Sequence, residues 1–213
     1  MKKSDVDYTL YLCTDRDLMR ADIVEDAVRQ ALLGGVTMVQ LREKNCSAKE
    51  FFETAQRVKK ITDQAGVPLI INDRVDIALA VDADGVHVGQ SDIPAAEARR
   101  LLGPDKIIGV SARTVEQARK AEADGADYLG VGAMFVTGTK QDAKVTSKEE
   151  LKRIRAAVAI PIVAIGGIKA DNVEELKGTG IDGVAVVSAV IAAENIASAA
   201  EELAGRVKEL KEA

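Results

Sequence analysis

Short apolar runs recur along the chain, and longer segments with one apolar face separate them. The runs are rich in β-branched residues and almost continuously hydrophobic, which is typical of strands covered on both faces. The intervening segments repeat their apolar residues at three- and four-residue steps, as helices lying on a sheet do. We identify eight strand candidates, at residues 8–14, 37–42, 68–72, 85–89, 106–111, 128–134, 161–166 and 183–188.

Helix start signals lie between these runs. A hydroxyl residue is followed three positions later by Glu or Gln at three places: Ser47 with Glu50, Thr114 with Gln117, and Ser147 with Glu150. This spacing lets the hydroxyl cap one free backbone donor while the later side chain reaches back to another. Each pair therefore predicts the start of a helix.

Alternating strands and amphipathic helices predict an α/β protein with a parallel sheet. Eight such units in 213 residues favour one closed (β/α)8 barrel, a TIM barrel with eight parallel strands, over an open sheet. Neither a linker nor a low-complexity tract divides the chain. We therefore expect a single barrel domain over residues 1–213, with its ligand site at the C-terminal rim of the strands.

Composition and charge narrow the classes of partner. The chain has 29 basic and 34 acidic residues, a net charge of −5, without a long like-charge run, so we expect neither nucleic-acid nor membrane binding. The N-terminal segment lacks the apolar region of a signal peptide, which predicts a cytoplasmic protein.

Cys13 and Cys46 lack metal-ligand spacing and are expected to be reduced thiols. The oligomeric state stays open, including a homo-oligomer.

Polar residues collect directly after the apolar runs. In a parallel barrel those positions share one rim, where α/β enzymes bind their ligands. Cations, carboxylates, hydroxyls and glycines on that rim predict a pocket for phosphorylated ligands and a divalent metal. The residues concerned are Gln40, Arg42, Lys44, Asn72, Asp73, Gln90, Asp92, Ser111, Thr137, Thr139, Lys140, Gly166, Gly167 and Ser188.

Two carboxylates on this rim indicate a metal site. Asp73 and Asp92 follow neighbouring strands of the predicted barrel, and like charges that close repel unless a cation lies between them. Magnesium fits, because it takes few protein carboxylates and completes its shell with water and phosphate oxygens. Taken alone, Asp73 is equally well a helix N-cap and Asp92 an acidic turn residue. Beside Arg42, Lys44 and Lys140, the pair favours a metal–pyrophosphate site.

Three further segments have two interpretations each. Residues 166–168 (GGI) and 187–190 (VSAV) follow the last two strands, where barrels commonly bind phosphate through backbone amides; two glycines alone are a weak signal, and their location strengthens it. Residues 137–142 lie in the longest strand-to-helix loop and either close over a ligand or form a solvated loop.

His87, the single histidine, lies in an apolar run, so we expect a structural role and no Ser-His-Asp or Cys-His set around it.

Together, seven segments resemble the thiamine phosphate synthase family, in the family's order and across nearly the whole chain. The resemblance implies a magnesium-dependent transferase. Such an enzyme joins 4-amino-5-hydroxymethyl-2-methylpyrimidine pyrophosphate to 4-methyl-5-(2-phosphooxyethyl)thiazole, giving thiamine phosphate and pyrophosphate. The segments are QLREK at 40–44, IINDR at 70–74, HVGQSD at 87–92, GVSA at 109–112, TGTKQD at 137–142, AIGGI at 164–168 and VVSA at 186–189.

The resemblance also assigns residues to the two substrates and the metal. Magnesium would be held by Asp73 and Asp92. Lys140 would stabilise the leaving group while Gln40 and Ser111 position the pyrimidine, in a dissociative reaction that needs no covalent protein nucleophile. The pyrimidine pyrophosphate would be bound by Gln40, Arg42, Lys44, Asn72, Ser111 and Lys140. The thiazole phosphate would be bound by Thr137, Thr139, Gly167, Val187 and Ser188.

Two positions depart from the family pattern. The family usually has proline where Val136 stands, so the rigidity of the following loop is in question. It often has histidine where Arg113 stands, and Arg113 either adds a cation to the rim or points outward.

Two alternatives to the synthase remain. One is a thiazole tautomerase of the same fold, which would not need a metal–pyrophosphate set. The other is a non-catalytic barrel that senses thiazole or thiamine phosphate. Asp73, Asp92 and Lys140 together favour the synthase, because neither alternative uses a leaving-group site.

Overall fold

Eight parallel strands close into a barrel, each pairing with the next along the chain and the last pairing back to the first. The computed structural model describes residues 2–136 and 145–212. The strands are β1 Leu10–Cys13, β2 Met38–Leu41, β3 Leu69–Asn72, β4 Gly85–Val88, β5 Ile107–Ala112, β6 Tyr128–Val131, β7 Ile162–Ile165 and β8 Gly183–Val186. The predicted (β/α)8 fold is confirmed.

Helices surround the barrel. The α-helices are α1 Val24–Leu33, α2 Ala48–Ala65, α3 Val75–Ala80, α4 Ala95–Leu102, α5 Val115–Ala123, α6 Lys148–Ala157, α7 Ser188–Ile191 and α8 Ile196–Glu212. Short 3-10 helices lie at Lys3–Asp5 and at Val173–Leu176, and the second of these takes the place of an α-helix between β7 and β8. In the described part of the chain, the helices are too short or too polar to cross a bilayer.

The predicted helix starts are confirmed, but only one has the reciprocal capping bond. Hydroxyl caps precede α2, α5 and α6 at Ser47, Thr114 and Ser147. Glu50 reaches back to its cap residue as predicted. Gln117 instead accepts from the backbone N–H of Arg113, one residue before the cap, at 2.8 Å. Glu150 accepts from the N–H of Val115 at 3.3 Å, so its carboxylate joins α6 to the start of the neighbouring α5.

A repeated hydrogen bond ties the strands together in pairs at their N-terminal ends. The residue directly before each even-numbered strand accepts, through its side chain, a backbone N–H near the start of the preceding odd-numbered strand. This arrangement satisfies donors that begin a strand, and its fourfold recurrence marks a repeating βαβα unit. The bonds run from Leu10 to Thr37 (3.0 Å), Leu69 to Asp84 (2.9 Å), Ile108 to Asp127 (2.8 Å) and Ile162 to Asp182 (2.8 Å).

The strands separate two apolar layers. The larger layer lies between the strands and the helices, and the smaller one fills the barrel interior. Burial on both faces explains why the strands are almost continuously apolar. The interior cluster consists of Tyr8, Tyr11, Cys13, Met38, Ile70, Ile107, Tyr128, Val163 and Ala185.

Candidate active site

The barrel interior becomes polar toward the carboxyl ends of the strands. Met38 and Ile107 belong to the apolar interior cluster. Gln40 and Ser111 lie two and four residues later on the same strands, so alternation places them on the same inner face. Gln40 is buried and Ser111 is half-buried. Both side chains therefore lie at the end of the interior that is nearest to the rim predicted from the sequence.

Asp73 and Asp92 are brought together as expected, close enough for each carboxyl group to shift the pKa of the other. Asp73 follows β3 with a left-handed φ of 61°, a strained conformation for a non-glycine residue, and its N–H donates to the His87 carbonyl at 2.9 Å. It is not a helix cap, since Arg74 occupies that position of α3. Asp92 does stabilise the turn after β4, because one of its carboxylate oxygens accepts a hydrogen bond from the Gly89 N–H at 2.7 Å.

The pKa values of the two carboxyl groups are shifted in opposite directions. Burial raises the pKa of both. For Asp73, hydrogen bonds from Lys44 (2.5 Å), Asp92 and Asn72, together with the Lys44 charge, outweigh burial and lower the pKa. For Asp92, burial and the neighbouring Asp73 outweigh the Gly89 N–H and raise the pKa. Asp73 thus holds the negative charge, and a proton or a cation is favoured between the two groups.

The donor set of this pair suits a hard divalent cation. Among the described residues, no group of three or more His, Cys, Asp or Glu side chains is arranged to hold a metal ion. The site therefore offers two carboxylates and leaves the remaining positions of a metal to water or ligand oxygens. Mg²⁺ binds in that way, whereas a structural Zn²⁺ site needs about four protein ligands.

Arg42 is anchored by residues that follow β1. Its backbone N–H donates to Thr14 Oγ1 at 3.0 Å, and its guanidinium donates to Asp15 Oδ2 at 2.7 Å. The other guanidinium N–H groups have no hydrogen-bond acceptor among the described residues, so they are available to an anion. Thr14 and Asp15 were not predicted from the sequence, although Thr14 ends the first apolar run and Asp15 directly follows it.

A chain of hydrogen bonds crosses the barrel interior between Gln40 and Ser111. Gln40 Nε2 donates to Tyr11 Oη (2.7 Å), and Tyr11 Oη lies 2.8 Å from Tyr128 Oη. Tyr128 Oη lies 2.9 Å from His87 Nδ1, and His87 Nε2 lies 2.9 Å from Ser111 Oγ. The contact between His87 and Ser111 was not predicted from the sequence; it arises because β4 and β5 are neighbours. The ring nitrogens of His87 contact Ser111 and Tyr128, neither of which completes a Ser-His-Asp or Cys-His set.

The two tyrosines of this hydrogen-bond chain were also missed. The available signal was chemical, since a phenol inside an apolar strand needs a polar partner. Burial raises the pKa of Tyr11 and of Tyr128 well above the usual range, so both keep their protons. Gly109 makes room for the second ring, because a Cβ there would lie 2.1 Å from Tyr128 Cζ.

The opposite arc of the rim carries the residues expected to bind thiazole phosphate. Gly167 follows β7 with a φ of 69°, and a Cβ there would lie 2.8 Å from both Phe135 Cβ and the Val136 carbonyl oxygen. Val187 and Ser188 lie at the start of α7, directly after β8. The positions predicted at Thr137, Thr139 and Lys140 lie outside the described residues.

Known proteins similar to this chain agree with one another. The family model described as thiamine monophosphate synthase matches residues 10–190. The thiamine-phosphate synthase of Clostridium beijerinckii is 62% identical over 94% of this chain and 96% of its own length. That of Ruminiclostridium cellulolyticum is 60% identical over the same shares. The structure of thiamine phosphate pyrophosphorylase from Pyrococcus furiosus is 44% identical, with a TM-score of 0.89 over 96% of this chain and 98% of that one. The synthases that this chain matches are transferases of thiamine biosynthesis, and the chain therefore belongs to the thiamine monophosphate synthase family.

Proposed function

We propose that this chain joins 4-amino-5-hydroxymethyl-2-methylpyrimidine pyrophosphate to 4-methyl-5-(2-phosphooxyethyl)thiazole, giving thiamine phosphate and pyrophosphate. The observation that carries the proposal is the Asp73–Asp92 carboxyl pair with Lys44 bound to one member. A carboxylate pair beside cations matches a metal-bound pyrophosphate. Family membership supports the same substrates.

We assign Mg²⁺ to Asp73 and Asp92. The support is the hard-oxygen donor set and the raised pKa of Asp92, which marks a place where positive charge is favoured. When bound, Mg²⁺ neutralises charge on the pyrophosphate oxygens. Asn72 helps to hold Asp73 ionised by hydrogen-bonding its carboxylate.

The protein's own residues then act on the departing group and on the ring. The bond between the pyrimidine methylene carbon and the pyrophosphate oxygen breaks, and its electron pair leaves with pyrophosphate. Arg42, Lys44 and Lys140 stabilise that charge electrostatically. Gln40 and Ser111 hold the pyrimidine, whose cationic methylene carbon receives the lone pair of the thiazole nitrogen. The role of Lys140 rests on the sequence resemblance.

The thiazole phosphate is proposed to occupy the opposite arc of the rim. Gly167, Val187 and Ser188 follow β7 and β8, where barrels commonly bind phosphate through backbone N–H groups. Thr137 and Thr139 complete this set by the resemblance alone. The two substrates then meet over the barrel axis.

Product analysis tests the proposal. Purified protein with both substrates and Mg²⁺ is expected to release thiamine phosphate and pyrophosphate in equal amounts, and reactions lacking either substrate are the controls. Binding of both substrates without product would support the sensor alternative and overturn the synthase assignment. Full turnover in the presence of chelator would retain the reaction but refute the magnesium assignment.

A further inference from the structure

The interior hydrogen-bond chain has a direction, and Gln40 sets it. The Gln40 amide nitrogen offers only hydrogens, so Tyr11 Oη accepts from it. Tyr11 must then send its own proton to Tyr128 Oη. If Tyr128 donated instead, the buried Tyr11 proton would lack an acceptor within this hydrogen-bond chain, which is unfavourable in a site removed from water.

The position of the proton on the histidine follows from the same bonds. Tyr128 has accepted from Tyr11, so its own proton goes to His87 Nδ1. A neutral imidazole whose Nδ1 accepts carries its hydrogen on Nε2. His87 Nε2 therefore donates to Ser111 Oγ. The Ser111 hydroxyl proton is then left for a group outside the hydrogen-bond chain.

We propose that Tyr11, Tyr128 and His87 are positioning residues, which direct the Ser111 hydroxyl to donate a hydrogen bond to the bound substrate. A Ser–His distance of 2.9 Å by itself also fits a nucleophile and its general base. The direction of the hydrogen-bond chain decides against that role, because a nitrogen that already carries a proton cannot remove one from Ser111. The direction follows from the geometry, whereas its use in the reaction rests on the proposed function.

If the hydrogen bonds ran in the opposite direction, His87 would be in its other tautomer. If the Gln40 amide were turned by about 180°, its oxygen would accept from Tyr11 and every bond would reverse. Ser111 would then donate to His87 Nε2, and Nδ1 would carry the proton. The two orders thus correspond to opposite tautomers of one imidazole.

Nitrogen NMR distinguishes them directly, because His87 is the single histidine of the protein. Protein labelled with ¹⁵N-histidine is expected at neutral pH to show a protonated Nε2 and an unprotonated Nδ1. A protonated Nδ1, alone or in an imidazolium, would overturn the proposal. This measurement needs neither substrate nor turnover. If the tautomer is as expected but no thiamine phosphate forms, the direction stands and its use in the reaction is refuted.

Three tyrosine-to-phenylalanine variants test the role of the hydrogen-bond chain. Tyr128→Phe removes the donor to His87 Nδ1, so mixed tautomers are expected. Loss of that orienting hydrogen bond should reduce kcat/KM for the pyrimidine pyrophosphate by about tenfold, with KM for thiazole phosphate unchanged. Tyr11→Phe removes the other partner of the Tyr128 hydroxyl within the hydrogen-bond chain, so the buried Tyr128 proton is left with His87 Nδ1 as its acceptor and the tautomer should persist. Tyr8→Phe is the matched control, because Tyr8 packs against Tyr128 at 5.3 Å between ring centroids but is not part of the hydrogen-bond chain.

Circular dichroism first establishes that each variant is folded. A folded Tyr128→Phe protein with an unchanged histidine spectrum and unchanged kcat/KM would overturn the positioning role. An equal loss in Tyr8→Phe would overturn it as well, since aromatic packing rather than the hydroxyl would then be responsible. If Tyr128→Phe does not fold, a shifted tautomer in Tyr11→Phe would contradict the proposed order of the bonds, and a retained one would support it.

Discussion

Asp73 and Asp92 carry the same functional group, yet their surroundings shift the pKa values of the two carboxyl groups in opposite directions. Lys44 donates to Asp73, whereas Asp92 is buried beside a charge of its own sign. Such divergence is characteristic of functional sites, where a ligand completes an unbalanced set of charges. At the scale of single residues, this divergence supports the proposal that a cation binds between these two groups.

Neutralising either carboxylate should weaken magnesium binding. Asp73→Asn and Asp92→Asn keep side-chain size but remove one anionic ligand, and a loss of about 100-fold in metal affinity is expected. Calorimetric titration with Mg²⁺ measures it, with product formation at fixed Mg²⁺ as a second readout. Asp76→Asn is the control, since Asp76 is an exposed carboxylate ion-paired with Arg74 on the first turn of α3. Unchanged Mg²⁺ affinity in both site variants would refute the assignment.

Lys140 is expected to act on the leaving group rather than on binding. Lys140→Ala should slow the single-turnover rate by about 100-fold while changing pyrimidine pyrophosphate affinity much less, because its charge is most useful as negative charge develops. Rapid-quench rates and equilibrium binding separate the two effects. Weakened binding with an unchanged rate would identify Lys140 as a uniform binder instead.

At the scale of elements, side chains directly before the even-numbered strands stabilise the barrel by accepting hydrogen bonds from backbone N–H groups of the odd-numbered strands. Asp127 joins the most partners among these, because its carboxylate accepts from the Ile108 N–H, from Arg99 and from Lys3. The contact ties β5 to β6 and draws α4 and the N-terminal segment to the same point. Loss of one such acceptor leaves several donors unsatisfied at once.

Removal of this acceptor should destabilise the fold. For Asp127→Ala we expect a loss of about 1–3 kcal/mol in the free energy of unfolding, from the unpaired Ile108 N–H and the freed Arg99. Urea denaturation measures the change. Asp105→Ala, an exposed position in the loop leading to β5, should stay within about 0.5 kcal/mol. Equal stability of the two variants would show that water replaces Asp127 without cost.

At the scale of the whole molecule, closure of the barrel brings distant strands to one interior. The hydrogen-bond chain from Gln40 to Ser111 uses side chains of β2, β1, β6, β4 and β5. The same closure places the loops after β7 and β8 opposite those after β2 to β4. The rim is thereby divided into an arc proposed for the metal and pyrophosphate and an arc proposed for thiazole phosphate.

This division predicts a selective effect at Gly167. A Cβ there would collide with Phe135 and with the Val136 carbonyl, so Gly167→Ala must move the rim beside β7. We expect KM for thiazole phosphate to rise about tenfold and pyrimidine pyrophosphate affinity to stay within about twofold. Gly178→Ala is the control, since Gly178 has a similar φ of 71° but a methyl group added there would meet no described residue within 4 Å. Loss of pyrimidine binding with intact thiazole phosphate binding would refute the two arcs.

Some site residues were accessible from the sequence and others were not. Gln40, Arg42, Lys44, Asp73, Asp92 and Ser111 were found because each lies near the end of an apolar run or within three residues after it. Tyr11 and Tyr128 lie inside such runs, where a tyrosine is also an ordinary strand residue. Their hydroxyl partners depend on which strands face each other across the interior, and that information is not local. The same reason explains why the contact between His87 and Ser111 was not predicted.

The sequence by itself determined the order of the strands and helices and many of the rim residues, although it missed Thr14, Asp15 and the 3-10 helix before β8. Apolar runs, capping hydroxyls and the polar residues after each strand are local properties, and parallel strands place their carboxyl ends together. Only the tertiary structure decided which of these groups touch: Asp15 with Arg42, Lys44 with Asp73, and His87 with Ser111. Tyr11 and Tyr128 meet across 117 residues of sequence, because barrel closure and strand register, rather than neighbouring residues, set that distance.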